Sequence, residues 1–135
     1  MEEENVGTDT VTFKCIGVIR DPSYQDVLKL VSVSLQEGKH VPVQIEAEPT
    51  NPYDAHAVCF KCLLDSKWQV FSYIVKELCE EVNVALSNKS IIATKFAWVK
   101  YKIVSTTGPG YYAAVSITKK GKWSSSVHRL SSTMY

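Results

Sequence analysis

The strongest constraint in this sequence is a pair of long strand-like runs, Ile91 to Ser105 and Tyr111 to Lys119, separated by Thr107-Gly108-Pro109-Gly110. That connection holds the residues a hairpin loop needs, so the two runs are expected to pair as antiparallel neighbours. A hairpin of this length commits the chain to a fold in which sheet dominates.

The upstream segments supply its partners. Val11 to Ile19 is rich in β-branched and aromatic residues and reads as a strand that Asp21-Pro22-Ser23 breaks. Tyr24, Leu28, Val31 and Leu35 fall at helical spacing, and Ser23 with Asp26 has the form of a capping box. A helix from about Ser23 to Leu35, ending at Gly38, is expected. Val41 to Glu48 alternates with period two, Ala57 to Leu64 and Trp68 to Tyr73 read as strands about a tight turn at Asp65-Ser66-Lys67, and Lys76 to Leu86 has the apolar face of an amphipathic helix. The expectation is a mainly β (α+β) domain of six strands and two helices, barrel-like in outline.

At 135 residues and 45% hydrophobic content the chain suits one globular domain. Residues 11–123 are expected to form it, flanked by a flexible acidic start over 1–10 and a flexible serine-rich tail over 124–135. No apolar run approaches the roughly 20 residues that span a bilayer. Met1-Glu2-Glu3-Glu4-Asn5 has neither the character of a secretory signal nor that of a transit peptide, so a nuclear or cytoplasmic location and a monomeric state are expected.

Charge is unevenly distributed. Residues up to Glu81 carry 7 Lys/Arg against 14 Asp/Glu, whereas those from Val82 onward carry 8 Lys/Arg and no acid. Such asymmetry fits a basic surface for a polyanion, or else an acidic half that neutralises a basic half across the fold.

Catalytic signatures are sparse. The chain has no G-x-S-x-G elbow, no H-E-x-x-H and no G-x-x-x-x-G-K phosphate loop. Cys59 and Cys62 have C-x-x-C spacing, but on a strand they point to opposite faces, which does not suit a zinc site. His56 beside Cys59 is the nearest approach to a base and nucleophile pair, and it lacks an orienting third group. No enzyme activity, metal or small-molecule cofactor is expected.

The richest cluster is Glu48-Pro49-Thr50-Asn51-Pro52-Tyr53-Asp54-Ala55-His56-Ala57-Val58. Two prolines fix φ around Asn51, and Asn and Asp side chains bond to nearby backbone, so a rigid turn presenting Tyr53 and Asp54 is expected. An aromatic ring beside a carboxylate can stack on a base and accept a hydroxyl proton. The same turn can equally fold Tyr53 onto the core, and both readings stay open at the level of sequence.

This E-P-x-N-P-Y-D-x-x-A-V string closely resembles the signature of the HIRAN domain family. Cys15-Ile16-Gly17-Val18 looks like the family's first strand, and Phe71 to Cys79 resembles its V-G-Y-L-P-R-E-L-A segment. The likeness extends from about Phe13 to Leu86. It implies a small barrel related to the oligonucleotide-binding fold and a module that grips single-stranded DNA at a free 3′-hydroxyl. Carried over by position, it implies Asp54 as acceptor for the terminal hydroxyl, Tyr53 as a stacking face and Asn51 as a base or backbone contact. Tyr73 would touch the end nucleotide and Lys76 a phosphate. The family's Arg-Tyr-Tyr run after the first strand is represented here by Arg20 alone, displaced along Val18 to Tyr24.

Two functions follow as expectations: a non-catalytic module binding single-stranded DNA, or RNA, and a protein-interaction domain that keeps the fold with a degenerate pocket. The basic strands beyond Asn88, with Lys89, Lys95, Lys100 and Lys102 and the interleaved Phe96, Trp98 and Tyr101, offer a further backbone-binding face. Strict alternation would put Phe96, Trp98 and Lys100 together.

Overall fold

The computed structural model describes residues 7–16 and 18–133. Among the described residues, six strands form two three-stranded antiparallel sheets. The first contains β1 (Thr8–Lys14), β6 (Gly108–Lys120) and β5 (Ile91–Val104), in the order β1-β6-β5, and the second contains β2 (Val43–Ala47), β3 (Val58–Leu64) and β4 (Lys67–Tyr73) in sequence order. Three helices complete the fold: α1 (Pro22–Gln36), α2 (Cys79–Ser87) and α3 (Ser125–Thr133). The expected mainly β fold is therefore present, but with three helices instead of two.

Among the described residues no closed barrel is found. At one seam the sheets meet through a single bridge between Ile16 and Tyr73. At the other, the Thr94 hydroxyl donates to the Val43 carbonyl and no ladder links β5 to β2. A barrel needs a continuous hydrogen-bond ladder around its circumference, and these seams replace it with isolated contacts.

The core lies between the sheets and α1. Phe60, Phe71 and Phe96 pack in succession, with ring centroids 5.9 and 5.0 Å apart, and Phe13 meets Trp123 edge-on at 5.5 Å. Leu28 and Val31 of α1 are fully buried against them, as the helical spacing predicts. The cap of α1 is Asp21, not Ser23: its Oδ1 accepts from the Ser23 amide at 2.9 Å, and Pro22 begins the helix. Gln25 then ties α1 to the sheet, donating to the Val18 and Tyr111 carbonyls and accepting from the Tyr111 amide at 2.8 Å.

Several boundaries differ from the sequence reading: the β5–β6 turn is residues 105–107, so the glycines expected in that loop belong to β6, and α2 begins at Cys79 after a 3-10 turn over Lys76–Leu78. The first strand starts at Thr8 and stops at Lys14, and Val18–Arg20 is a single 3-10 turn. Thr10 and Thr12 bond across the ladder to Thr118 and Ser116, which extends the strand into the segment expected to be flexible. Residues 1–6 of that acidic start lie outside the described residues. Within the serine-rich segment, residues 125–133 form α3, and residues 134–135 lie outside the described residues. Glu81 of α2 accepts from both the amide and the hydroxyl of Ser124, the Ser124 hydroxyl caps the Val127 amide, and Val127 is buried. Asp9 adds a clamp, accepting from the Trp123 amide at 2.9 Å and lying 2.8 Å from His128 Nε2.

The β5–β6 ladder contains two bulges. Ala97 is the extra residue between the pairs Phe96–Val115 and Trp98–Ala114, and Ile92 is the extra residue nearer the strand start. An extra residue reverses the parity of everything beyond it. Phe96 and Val99 consequently pack on the core, while Trp98 turns outward. The expected shared face of Phe96 and Trp98 does not exist.

Candidate functional site

The loop between β2 and β3 is built around Asn51. Its Oδ1 accepts from the Tyr53 amide at 2.8 Å and the Asp54 amide at 3.1 Å, and its Nδ2 donates to Glu48 Oε1 at 3.0 Å. Asp54 continues the pattern, accepting from the His56 amide at 2.8 Å through Oδ1. From outside the loop, Asn83 of α2 donates to the His56 carbonyl at 2.9 Å. Backbone bonds from Glu48 to Ala57 and from Ala57 to Asp54 close the base. Pro49 and Pro52 restrict φ on either side, so little freedom remains to be lost when a ligand binds.

This rigid loop forms one wall of a cleft of ≈ 910 Å³ whose other walls are Ile16, the end of β4 and the turn that opens α2. Asn51, Tyr53, Asp54, Tyr73 and Lys76 all line it. Tyr53 is 95% exposed, so the reading in which it folds onto the core is excluded. Lys76 is exposed at the start of a 3-10 turn. Arg20 is exposed at the end of its own turn and is not among the lining residues.

Glu48 organises the cleft floor, although sequence reasoning assigned it no role. The Tyr73 hydroxyl donates to the same Oε1 that accepts from Asn51, at 2.9 Å. Burial raises the Glu48 pKa, but hydrogen bonds from Asn51, Tyr73 and Cys59 outweigh that and hold the carboxyl below its ordinary value. Tyr73 responds in the opposite direction: burial first, then the neighbouring carboxylate, pushes its phenol well up. The available signal was a carboxylate three residues before Asn51, within reach of an amide that needs an acceptor.

Cys59 lies behind Glu48 and is fully buried. Burial and then Glu48 push its thiol up to about 12, so it is held neutral. Nucleophilic chemistry requires the thiolate. Cys62 belongs to the main core cluster and Cys59 does not, consistent with opposite faces of β3. Among the described residues, no three His, Cys, Asp or Glu side chains converge as a metal site would require. No described helix is long and apolar enough to cross a membrane.

The cleft bears more negative than positive charge. Glu46, Glu48 and Asp54 line it with Lys76, and Glu46 is itself paired to Lys61 at 2.6 Å. Carboxylates in such a site accept hydroxyl and amino protons and repel phosphate. Its chemistry favours groups that donate hydrogen bonds, neutral or cationic, over anionic ones. No protein family, curated protein or solved structure matches the chain.

Proposed function

We propose that the protein is a HIRAN-like, non-catalytic module that recognises the free 3′-hydroxyl end of single-stranded DNA in the cleft beside Asn51. One observation carries this reading. A loop pinned by the three Asn51 hydrogen bonds holds the exposed Tyr53 ring and the Asp54 carboxylate at one cleft, with Tyr73 and Lys76 on its other side. The terminal base stacks on Tyr53, the sugar hydroxyl donates to the uncommitted Oδ2 of Asp54, and the penultimate phosphate meets Lys76 at the rim. The acidic floor supports an end over an internal segment, because an internal segment would bring phosphate against Glu48 and Asp54.

The test is Asp54→Ala. It should weaken binding to an oligonucleotide ending in a 3′-hydroxyl and make binding to its 3′-phosphate counterpart no weaker, because the carboxylate that repels that phosphate is gone. Equal losses on both would remove the assigned role.

A second reading is a protein-interaction domain with a degenerate pocket. It is favoured by the position of Arg20 outside the cleft and by the surplus of carboxylates over Lys76. A nuclease-resistant complex with one protein, together with no oligonucleotide binding, would select it.

A further inference from the structure

The bulge at Ala97 creates a second surface, remote in sequence from the cleft loop. Beyond it, Trp98, Lys100 and Lys102 share the outer side of β5. Lys102 Nζ lies 4.4 Å and Lys100 Nζ 5.4 Å from the centroid of the Trp98 ring. Lys95 joins that side because the extra residue restores its parity with Trp98. Register extends the surface across the sheet: Trp98 pairs with Ala114, and Ala114 with Lys14 of β1. Two strand spacings therefore separate Trp98 from Lys14, about 10 Å between backbones. Thr10, Thr12, Ser116 and Thr118 fill the adjoining rows with hydroxyls.

Charge identifies the occupant. β5 and β6 contain no acidic residue, and Lys95, Lys100 and Lys102 are exposed. Two ammonium groups rest on one indole, and among the described residues no carboxylate forms an ion pair with either, so they are arranged around the ring instead of being neutralised. From Lys95 to Lys102 the strand runs for roughly 23 Å at its usual rise. A row of cations beside a flat aromatic, on a sheet face rich in hydroxyls, is complementary to a single strand whose phosphates meet the lysines while a base stacks on the indole.

We infer that the outer face of β5, centred on Trp98, Lys100 and Lys102, is a nucleic-acid-binding surface that tracks the backbone of a single strand and needs no free end. This surface is independent of the end-recognition reading, and Asp54 takes no part in it.

A circular single-stranded oligonucleotide of about 40 nucleotides, labelled internally, separates the two, because it has no 3′ end. Anisotropy should report salt-sensitive binding by the wild-type protein. Lys100→Glu combined with Lys102→Glu should weaken it by about tenfold or more, Trp98→Ala by roughly tenfold, and Asp54→Ala should leave it unchanged. The paired lysine substitutions sit at exposed positions, and an unchanged circular dichroism spectrum would verify that the fold is intact. Failure of the circle to bind, or binding that the paired substitution leaves unweakened, would overturn the inference. So would binding to phosphatidylserine vesicles in place of the circle. Neither result bears on the hydroxyl-end preference, which linear oligonucleotides report separately.

Discussion

Tyr73 donates its phenolic hydrogen to Glu48 Oε1 at 2.9 Å, joining residues 25 apart in the chain and fixing the end of β4 to the start of the cleft loop. Because the same oxygen accepts from Asn51, the two donors depend on one carboxylate. Tyr73→Phe should cost about 1 kcal/mol of stability and Glu48→Ala about 2 kcal/mol, with the double variant losing less than the sum. Urea denaturation of the four proteins checks this.

The same carboxylate makes the loop pH-sensitive. Its folded pKa lies below the ordinary 4.5, so its contribution is present above that value and is lost as pH falls through the folded pKa. The stability gap between wild type and Glu48→Ala should therefore be full at about pH 7 and narrow progressively below about pH 4. Tyr73 titrates in the opposite sense. Its raised pKa means that its contribution is complete below the ordinary value of 10.0 and is lost only as pH rises toward the folded value.

Tyr53 has almost no packing to lose. Tyr53→Ala should leave the urea midpoint unchanged, whereas loss of a stacked base would cost about 1–3 kcal/mol of binding. A variant that loses stability and binding together would mean that the ring is structural.

Much of this arrangement was legible in the sequence. The strands about the Asp65 turn, the apolar stripe of α1 and the antiparallel pairing of β5 with β6 follow from local pattern, although the turn between them is residues 105–107 and the glycines expected in the loop lie in β6; the N-P-Y-D string places Asn51, Tyr53 and Asp54 at one loop. What was hidden depends on partners distant in sequence. Nothing in Phe96-Ala97-Trp98 announces a bulge, because no glycine marks it and only pairing with β6 reveals the extra residue. Helix α3 lies in the serine-rich stretch at the chain end, and what holds it is Glu81 on Ser124 and the burial of Val127. Barrel closure was likewise beyond a strand count, since it depends on ladders at two seams that local sequence does not encode.

Gly110 of β6 lies against Ile19 and Gln25. A Cβ there would overlap Ile19 Cδ1 and sit 2.8 Å from Gln25 Oε1. Ile19 can rotate away, but Gln25 is held by three hydrogen bonds. Gly110→Ala should therefore destabilise by about 1–3 kcal/mol, measurable as a lower thermal midpoint.

The β3–β4 turn is strained. Asp65 and Ser66 have φ of 50° and 63°, the left-handed pair that a two-residue hairpin loop demands. Replacing them with Asn and Gly should stabilise the domain by about 1 kcal/mol without affecting the cleft. A urea midpoint that stays the same or falls would mean that the turn is not limited by backbone strain.

End recognition in the cleft is tested most directly by fluorescence anisotropy of a single strand of about ten nucleotides ending in a 3′-hydroxyl, against its 3′-phosphate form and a duplex, at about 50 and 200 mM salt. The free hydroxyl end should bind tightest at both salts, and its advantage over the phosphate form should survive at 200 mM, because hydrogen bonds in a rigid cleft are screened less than backbone charges. Equal affinity for the two single strands, or no binding to either, would contradict end recognition at Asp54.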